Sequence, residues 1–135
     1  MNIAVIGSGG REHSICFKLK QSKHINKIFC IPGNAGTNEL AENIDIDILN
    51  FKNISNFLKN NNIKIIFVGP EIPLVKGIKD YLEKKGFFVF GPSKAASRLE
   101  KSKSFTKKLC KKYKIPTAQY KSFSSMKGVR DYINI

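Results

Sequence analysis

The sequence predicts an α/β domain in which a parallel sheet is flanked by helices. Short apolar segments alternate with helical segments along the chain, and glycine or proline turns close most of the apolar segments. This alternation is typical of βαβ units, whose strands lie parallel because each crossover returns the chain to the same edge of the sheet. The 135 residues are enough for one compact domain and the first part of a second.

Five strands are predicted from apolar runs bounded by turn residues. Residues 2–6 form a short apolar run that ends in glycine, and residues 27–31 lead into a Pro-Gly-Asn turn. In residues 43–48, isoleucines alternate with aspartates, which predicts a weak third strand. The most apolar segment, residues 64–68, is expected at the centre of the sheet, and residues 87–90 form the fifth strand.

Three helices are predicted between these strands. Apolar residues recur at helical spacing over residues 11–21, and Ile54, Phe57 and Leu58 mark the inner face of a second helix. A third helix is predicted over residues 74–84, with Gly86 just beyond its end.

After residue 92 the chain becomes strongly basic. Residues 93–100 and 102–114 predict two helices, residues 118–123 a strand, and residues 126–133 a short helix.

The composition narrows the functional classes. The net charge of +14 would suit a nucleic-acid-binding protein, but the chain has few arginines and its lysines are scattered. This favours the interpretation that the charge reflects a general over-use of Lys, Asn and Ile rather than a binding surface. We therefore expect no nucleic-acid partner. There is no apolar run long enough to cross a membrane and no signal peptide, and the three cysteines lack metal or disulfide spacing. A cytoplasmic protein is expected.

The loop after the first strand is a candidate phosphate site. Residues 7–13 read Gly-Ser-Gly-Gly-Arg-Glu-His and join a strand to a helix. Glycines there let backbone N–H groups approach a phosphate, and the helix N-terminus adds positive charge. Arg11 could hold the same anion with two hydrogen bonds. A tight turn without a ligand is the alternative for the glycines alone.

This loop departs from the dinucleotide-binding fingerprint. The third glycine of G-x-G-x-x-G is replaced by Glu12, and the second strand ends in Phe-Cys-Ile-Pro without an acidic residue for a ribose. Both differences argue against NAD and favour a smaller phosphorylated ligand.

The loop after the fourth strand is a second candidate. Gly69, Pro70 and Glu71 follow the central strand and should lie at the same edge as the first loop. Glu71 could bind sugar hydroxyls or an amine, or it could simply charge the N-terminus of the next helix. Residues 32–37, Pro-Gly-Asn-Ala-Gly-Thr, form a third loop that alone would be a plain turn.

Together these segments resemble the phosphoribosylamine–glycine ligase family of purine biosynthesis. The match rests on residues 7–13, residues 32–37, Val-Gly-Pro-Glu at 68–71, Phe-Gly-Pro at 90–92 and Glu-Lys-Ser-Lys-Ser-Phe-Thr-Lys at 100–107. The order and spacing make it specific, and two of these motifs argue against other ATP-grasp enzymes of purine synthesis.

The resemblance implies a Rossmann-like domain, residues 1–101, that precedes an ATP-grasp domain. Residues 102–135 would be the incomplete beginning of that second domain. The family uses ATP and magnesium to convert glycine to glycyl phosphate, which the amine of 5-phosphoribosylamine then attacks to give glycinamide ribonucleotide.

The family's site residues carry over to matching positions in this chain. The substrate-binding residues implied by the resemblance are Gly9, Gly10, Arg11, Glu12, Gly69, Pro70 and Glu71. Lys103 would correspond to a lysine that touches nucleotide phosphate. No catalytic residue and no magnesium ligand is expected here, so the chain should need the missing ATP-grasp portion as its partner and be inactive alone.

Two other functional classes stay open at this point. A stand-alone binding module for a phosphorylated metabolite would keep the same loops without an ATP site. A basic nucleic-acid-binding protein would show affinity that falls steeply with salt, but it would leave both glycine-containing loops unexplained.

Overall fold

The computed structural model describes residues 1–133 and contains a five-stranded sheet in the order β3-β2-β1-β4-β5. Every neighbouring pair of strands is parallel. The strands are β1 (Asn2–Gly7), β2 (Lys27–Pro32), β3 (Glu42–Asn43), β4 (Ile63–Val68) and β5 (Phe88–Phe90). The predicted fold class, a parallel sheet flanked by helices, is therefore confirmed.

Helices connect the strands and continue beyond the sheet. They are α1 (Gly10–Lys20), α2 (Phe51–Asn60), α3 (Glu71–Lys76), α4 (Ile78–Glu83), α5 (Arg98–Lys101), α6 (Lys103–Lys112) and α7 (Val129–Ile133), with a 3-10 turn at Thr37–Glu39. None of the helices in residues 1–133 is both long enough and apolar enough to cross a membrane.

The core lies on both faces of the sheet. Ala4 and Ile6 of β1 belong to the larger cluster, which includes buried residues of α2 and α4. Val5 points the other way and packs in a smaller cluster with Cys16 of α1. Because successive side chains of a strand alternate in direction, β1 is apolar at every position between these layers.

The predicted third strand is much shorter than expected. Only Glu42 and Asn43 pair with β2, and the last ladder bond runs from the Ile44 N–H to the Cys30 carbonyl at 2.9 Å. The Ile46 N–H then donates to the Ile44 carbonyl at 2.8 Å, which turns the chain out of the sheet. The isoleucines in this segment still pack, partly buried, against the larger cluster.

The predicted helix over residues 74–84 is two helices. Gly77 separates α3 from α4 and adopts a left-handed conformation with φ of 96°, which suits glycine because it has no Cβ. Its N–H donates to the Leu74 carbonyl at 2.9 Å and caps α3.

The chain divides into two compact units, Met1–Ser97 and the residues from Arg98 onward. The helix predicted over residues 93–100 is a turn followed by α5, and Ser97 bonds back to the Ser93 carbonyl through both its N–H and its hydroxyl. The predicted domain boundary at residues 101–102 stays a prediction.

In the second unit, α6 begins at a capped N-terminus, where the Ser102 hydroxyl accepts from the Phe105 N–H at 3.2 Å. Residues 118–123, predicted as a strand, are irregular. At the start of this segment, the Lys107 ammonium donates to the Thr117 hydroxyl at 2.6 Å and to the Ala118 carbonyl at 2.9 Å.

Candidate functional site

A cleft of about 300 Å³ lies at the carboxyl ends of β1 and β4. In parallel α/β sheets this edge is where ligands bind. Its lining residues come from the first loop, the loop after β4 and the segment that follows β3: Gly7, Ser8, Gly9, Gly10, Arg11, Glu12, Ile48, Pro70 and Glu71. Six of the seven predicted substrate-binding residues therefore share one cleft. The seventh, Gly69, is buried beside it.

The N-terminus of α1 opens into this cleft. Gly9 precedes the first turn in an extended conformation, and its carbonyl accepts the first helical hydrogen bond, from the His13 N–H. The N–H groups of Gly10 and Arg11 follow it and have no acceptor within the helix. They lie at the positive end of the helix dipole, so this end of the cleft suits an anion.

The side chain of Glu12 is almost completely buried, although part of the residue lines the cleft. Only 4% of the residue is exposed, and its Oε2 accepts the Gly9 N–H at 2.6 Å. This is the backward-reaching half of a capping box. A Cβ at Gly69 would lie 1.6 Å from Oε1, and one at Gly7 would lie 2.6 Å from Cδ. Both glycines therefore make room for one carboxyl group.

Arg11 joins the first loop to the loop after β4. Its Nη1 donates to the Gly69 carbonyl, while the Gly69 N–H donates to the Ile6 carbonyl at 3.0 Å. The side chain stays exposed, so its remaining N–H donors can meet a ligand at the cleft. The sequence located this arginine at the site, but not its contact with the second loop.

The third loop supports the first through Asn34, which the sequence did not identify as a site residue. Asn34 Nδ2 donates to the Ser8 carbonyl at 2.8 Å, and Asn34 Oδ1 accepts the Thr37 N–H at 2.9 Å. The Thr37 hydroxyl is fully buried, accepts the Asn34 N–H at 2.7 Å and lies 2.8 Å from Asn43 Oδ1. The signal was available, because asparagine side chains in turns commonly bond to nearby backbone.

Among the described residues that line the cleft, Glu71 and Glu12 are the acidic ones. Glu71 is the first residue of α3, directly after Pro70, and it is exposed. From this position its carboxylate can accept a hydrogen bond from a ligand's hydroxyl or amine, and its negative charge also favours the N-terminal end of α3. Its role in binding stays a prediction, as do those of the other predicted cleft residues.

Two cysteines are buried in the smaller core cluster, close to the first loop. Cys30 Sγ lies 3.5 Å from the Gly7 carbonyl oxygen, and Cys16 packs in the same cluster. A hydrogen bond with Cys30, together with burial, raises the pKa of the Cys16 thiol. Cys16 therefore stays protonated at neutral pH and is a packing residue rather than a nucleophile.

The second unit carries Lys103, the predicted nucleotide contact. It is the first residue of α6 and is exposed. Over residues 1–133, no three His, Cys, Asp or Glu side chains come together in a way that could hold a metal ion. The contact of Lys103 with nucleotide phosphate stays a prediction.

Comparison with known proteins identifies the family. Residues 1–100 match the family described as Phosphoribosylglycinamide synthetase, N domain. The chain belongs to this family. The resemblance inferred from the loop motifs is thereby confirmed, and the glycine-rich first loop falls within the matched region.

Curated relatives extend the match beyond residue 100. The chain is 48% identical over 132 residues to phosphoribosylamine–glycine ligase of Rhodopirellula baltica, an alignment covering 98% of this chain and 30% of that protein. It is also 48% identical over 123 residues to the same ligase of Caldanaerobacter subterraneus, covering 91% and 30%. The chain thus spans less than a third of the length of these relatives.

Solved structures agree with the fold. A phosphoribosylamine–glycine ligase from Thermotoga maritima superimposes with a TM-score of 0.68 at 27% identity, covering 99% of this chain and 30% of that one. An N5-carboxyaminoimidazole ribonucleotide synthetase from the same organism gives 0.70 at 19% identity, covering 97% and 36%. The second likeness is one of fold alone.

Proposed function

We propose that this chain is the amino-terminal part of a cytoplasmic phosphoribosylamine–glycine ligase and that its cleft holds the phosphoribosyl substrate. The observation that carries the proposal is the union, in one cleft, of the helix N-terminus, Arg11 and Glu71. The family match over residues 1–100 and the ligases that share 48% identity support it.

The cleft suits a phosphate at one end and a ribosylamine at the other. The Gly10 and Arg11 N–H groups and the Arg11 guanidinium supply donors and positive charge for the phosphate. Glu71 supplies an acceptor for a ribose hydroxyl or for the amine. Glu12 acts indirectly in this proposal, because its buried carboxyl holds the Gly9 N–H and thereby the shape of the loop.

The reaction proposed for the whole enzyme begins when a glycine carboxylate oxygen attacks the γ-phosphorus of ATP and ADP leaves. The amine of 5-phosphoribosylamine then attacks the acyl carbon of glycyl phosphate, and phosphate leaves with the acyl C–O bond electrons. The product is glycinamide ribonucleotide. This chain's contribution is to bind and orient the amine-bearing substrate.

The residues described here do not fit a magnesium ion, and most of the contacts with ATP are proposed to lie outside them. Residues 1–133 contain no cluster that could hold a metal ion, so we assign the magnesium ligands to the remainder of the longer enzyme. Lys103 is proposed to contact nucleotide phosphate when that remainder is present. We accordingly expect no ligase turnover from the 135-residue chain alone; turnover by the purified chain would contradict this.

Calorimetric titration with glycinamide ribonucleotide tests the site. The unaltered chain should bind, and Arg11→Gln should weaken binding by about tenfold or more, because a charge-assisted contact is lost. Because Gln is uncharged and ends two bonds short of the Arg Nη1 position, the variant removes both the charge and the contact with the Gly69 carbonyl. Arg98→Ala, an exposed arginine in the second unit, is the matched control and should bind like the unaltered chain.

Two results would count against the proposal. Equal affinity of the Arg11→Gln variant and the unaltered chain would remove Arg11 from the site. Failure of the unaltered chain to bind would show that the phosphoribosyl site is not complete in this chain.

A stand-alone binding module is a second candidate, because every residue of the cleft belongs to the unit Met1–Ser97. It would bind the phosphorylated ligand with the same dependence on Arg11. Mixing the chain with a separately produced remainder of a family ligase distinguishes the two, since only the ligase proposal expects turnover to appear.

A further inference from the structure

A second and larger cavity lies at the amino ends of β4 and β5, whereas the cleft lies at the carboxyl ends of the strands. Its volume is about 600 Å³, within the usual range of small-ligand pockets. It lies where α2 ends and β4 begins, and residues just before β5 complete it. We refer to it as the lysine cavity, lined by Lys59, Lys64, Lys85, Ser55, Asn56 and Phe87, with two further residues at the start of β4.

Positive charge converges on the lysine cavity without compensation. Lys59, Lys64 and Lys85 all line it, and no aspartate or glutamate does. The salt bridges found within residues 1–133 join Lys27 to Glu42 and Lys79 to Glu83, and so involve none of the three. The Lys85 ammonium lies 5.0 Å from the centre of the Tyr81 ring, a contact that leaves its charge in place. Like charges around a concavity favour entry of an anion.

Ser55 adds a hydroxyl group to the wall of the lysine cavity. The residue is only 6% exposed and lines the cavity, and its hydroxyl makes no hydrogen bond to another residue in the described part of the chain. Within residues 1–133, every fully enclosed side-chain oxygen or nitrogen has a hydrogen-bond partner. Because the Ser55 hydroxyl has none, it must be partly accessible to solvent. It therefore faces the cavity, where a ligand oxygen would satisfy it.

We propose that the lysine cavity binds an oligophosphate group. Three ammonium groups match the charge of a diphosphate or triphosphate better than that of a monophosphate, and the Asn56 amide and the Ser55 hydroxyl add neutral hydrogen bonds. The chemistry is shared by free inorganic oligophosphate and by nucleoside di- or triphosphates. The cavity does not belong to the cleft, which lies at the other end of the strands.

Lysine is abundant throughout this chain, whose net charge is +14, so general surface charge is the alternative to a specific site. A general surface charge would bind oligophosphate weakly and through many lysines. The proposed site differs because it requires particular lysines and one buried serine. A matched surface lysine therefore provides the decisive control, and Lys52 is suitable because it lies on α2, is exposed and does not line the cavity.

The test is a titration of the isotopically labelled 135-residue chain with inorganic tripolyphosphate, followed by NMR at fixed ionic strength. Saturable shifts are expected at Ser55 and Lys64. Shifts at residues 9–11 would report the anion site of the cleft and should weaken in Arg11→Gln, whereas those at Ser55 and Lys64 should persist. Lys64→Gln should raise the Kd about tenfold and Lys52→Gln less than about twofold. Ser55→Ala should raise it a few fold, and dispersed amide spectra will confirm that each variant is folded.

Parallel titrations with ATP distinguish the sources of the phosphate. Tighter binding of ATP than of tripolyphosphate, with shifts at Phe87, would identify a nucleoside triphosphate. Equal or tighter binding of tripolyphosphate would identify the free oligophosphate. Either result supports the site. Equal losses for Lys52→Gln and Lys64→Gln, shifts spread over lysines elsewhere, or no saturation would overturn the proposal. Arg11→Gln should leave this binding unchanged, so the outcome is independent of the cleft.

Discussion

Replacing Gly69 with alanine should destabilise the chain through a collision with Glu12. The new Cβ would lie 1.6 Å from Glu12 Oε1, a separation that cannot exist, so one of the two side chains must move. The end of a glutamate is flexible, and we expect Glu12 to swing out of its buried position. That movement breaks the 2.6 Å hydrogen bond from the Gly9 N–H and leaves this donor without its acceptor.

The magnitude follows from the group that is lost. A hydrogen bond to a charged group contributes about 1.5–3 kcal/mol, and the lower chain entropy of alanine returns about 0.4–1 kcal/mol. The net loss in the free energy of unfolding should therefore be about 1–2 kcal/mol. Gly10→Ala is the matched control, since nothing lies within 4 Å of a Cβ there, and it should be neutral or stabilise the chain by up to about 1 kcal/mol.

Urea unfolding followed by far-UV circular dichroism measures these changes, because the chain contains no tryptophan. The cause is isolated by repeating Gly69→Ala in a Glu12→Ala background. Without the carboxyl group there is no collision, so the second substitution should be neutral or slightly stabilising. Equal costs of Gly69→Ala in both backgrounds would refute the reasoning, because additive effects mean that the two sites do not interact.

Two further predictions concern buried polar groups. Thr37→Val should lower the free energy of unfolding by about 1–3 kcal/mol, since it leaves the Asn34 N–H without the hydroxyl that accepts it. Thr37→Ser keeps the hydroxyl and should cost less. Equal costs of the two substitutions in urea titrations would show that the hydroxyl is unimportant. Because the pKa of Cys16 is raised and the residue is fully buried, iodoacetamide at pH 7.5 should modify Cys110 long before Cys16 in the folded chain. Mass spectrometry of peptides gives the order, and early modification of Cys16 would contradict the buried position.

The sequence predicted the elements whose pattern is set locally. The apolar run of β1 is buried on both faces and forms the middle strand, whereas residues 64–68, predicted at the centre, form β4 beside it with Ile65 and Phe67 only partly buried. Alternating isoleucines in residues 43–48 predicted a weak strand, but alternation reports only which side chains are buried. It cannot distinguish pairing with a neighbouring strand from packing against the core, and here the Ile46 N–H turns back to the Ile44 carbonyl.

The site was predictable to the level of loops rather than side-chain roles. Parallel strands bring their carboxyl ends together, so residues 7–13 and Gly69 could be placed at one edge from topology alone. The burial of Glu12 could not be predicted in the same way. It depends on how close the loop after β4 approaches α1, a distance between residues far apart in sequence that no local pattern records.

The hydrogen bonds between the cleft's loops also bear on how ligand affinity is achieved. Asn34 and Arg11 tie the three loops together through hydrogen bonds between protein groups. Fixing a backbone residue costs about 1–2 kcal/mol of conformational entropy, and in this fold that cost is met when the chain folds. The ligand proposed for this cleft would therefore meet loops that are already ordered, and the free energy of its contacts would appear as affinity rather than being consumed in ordering them.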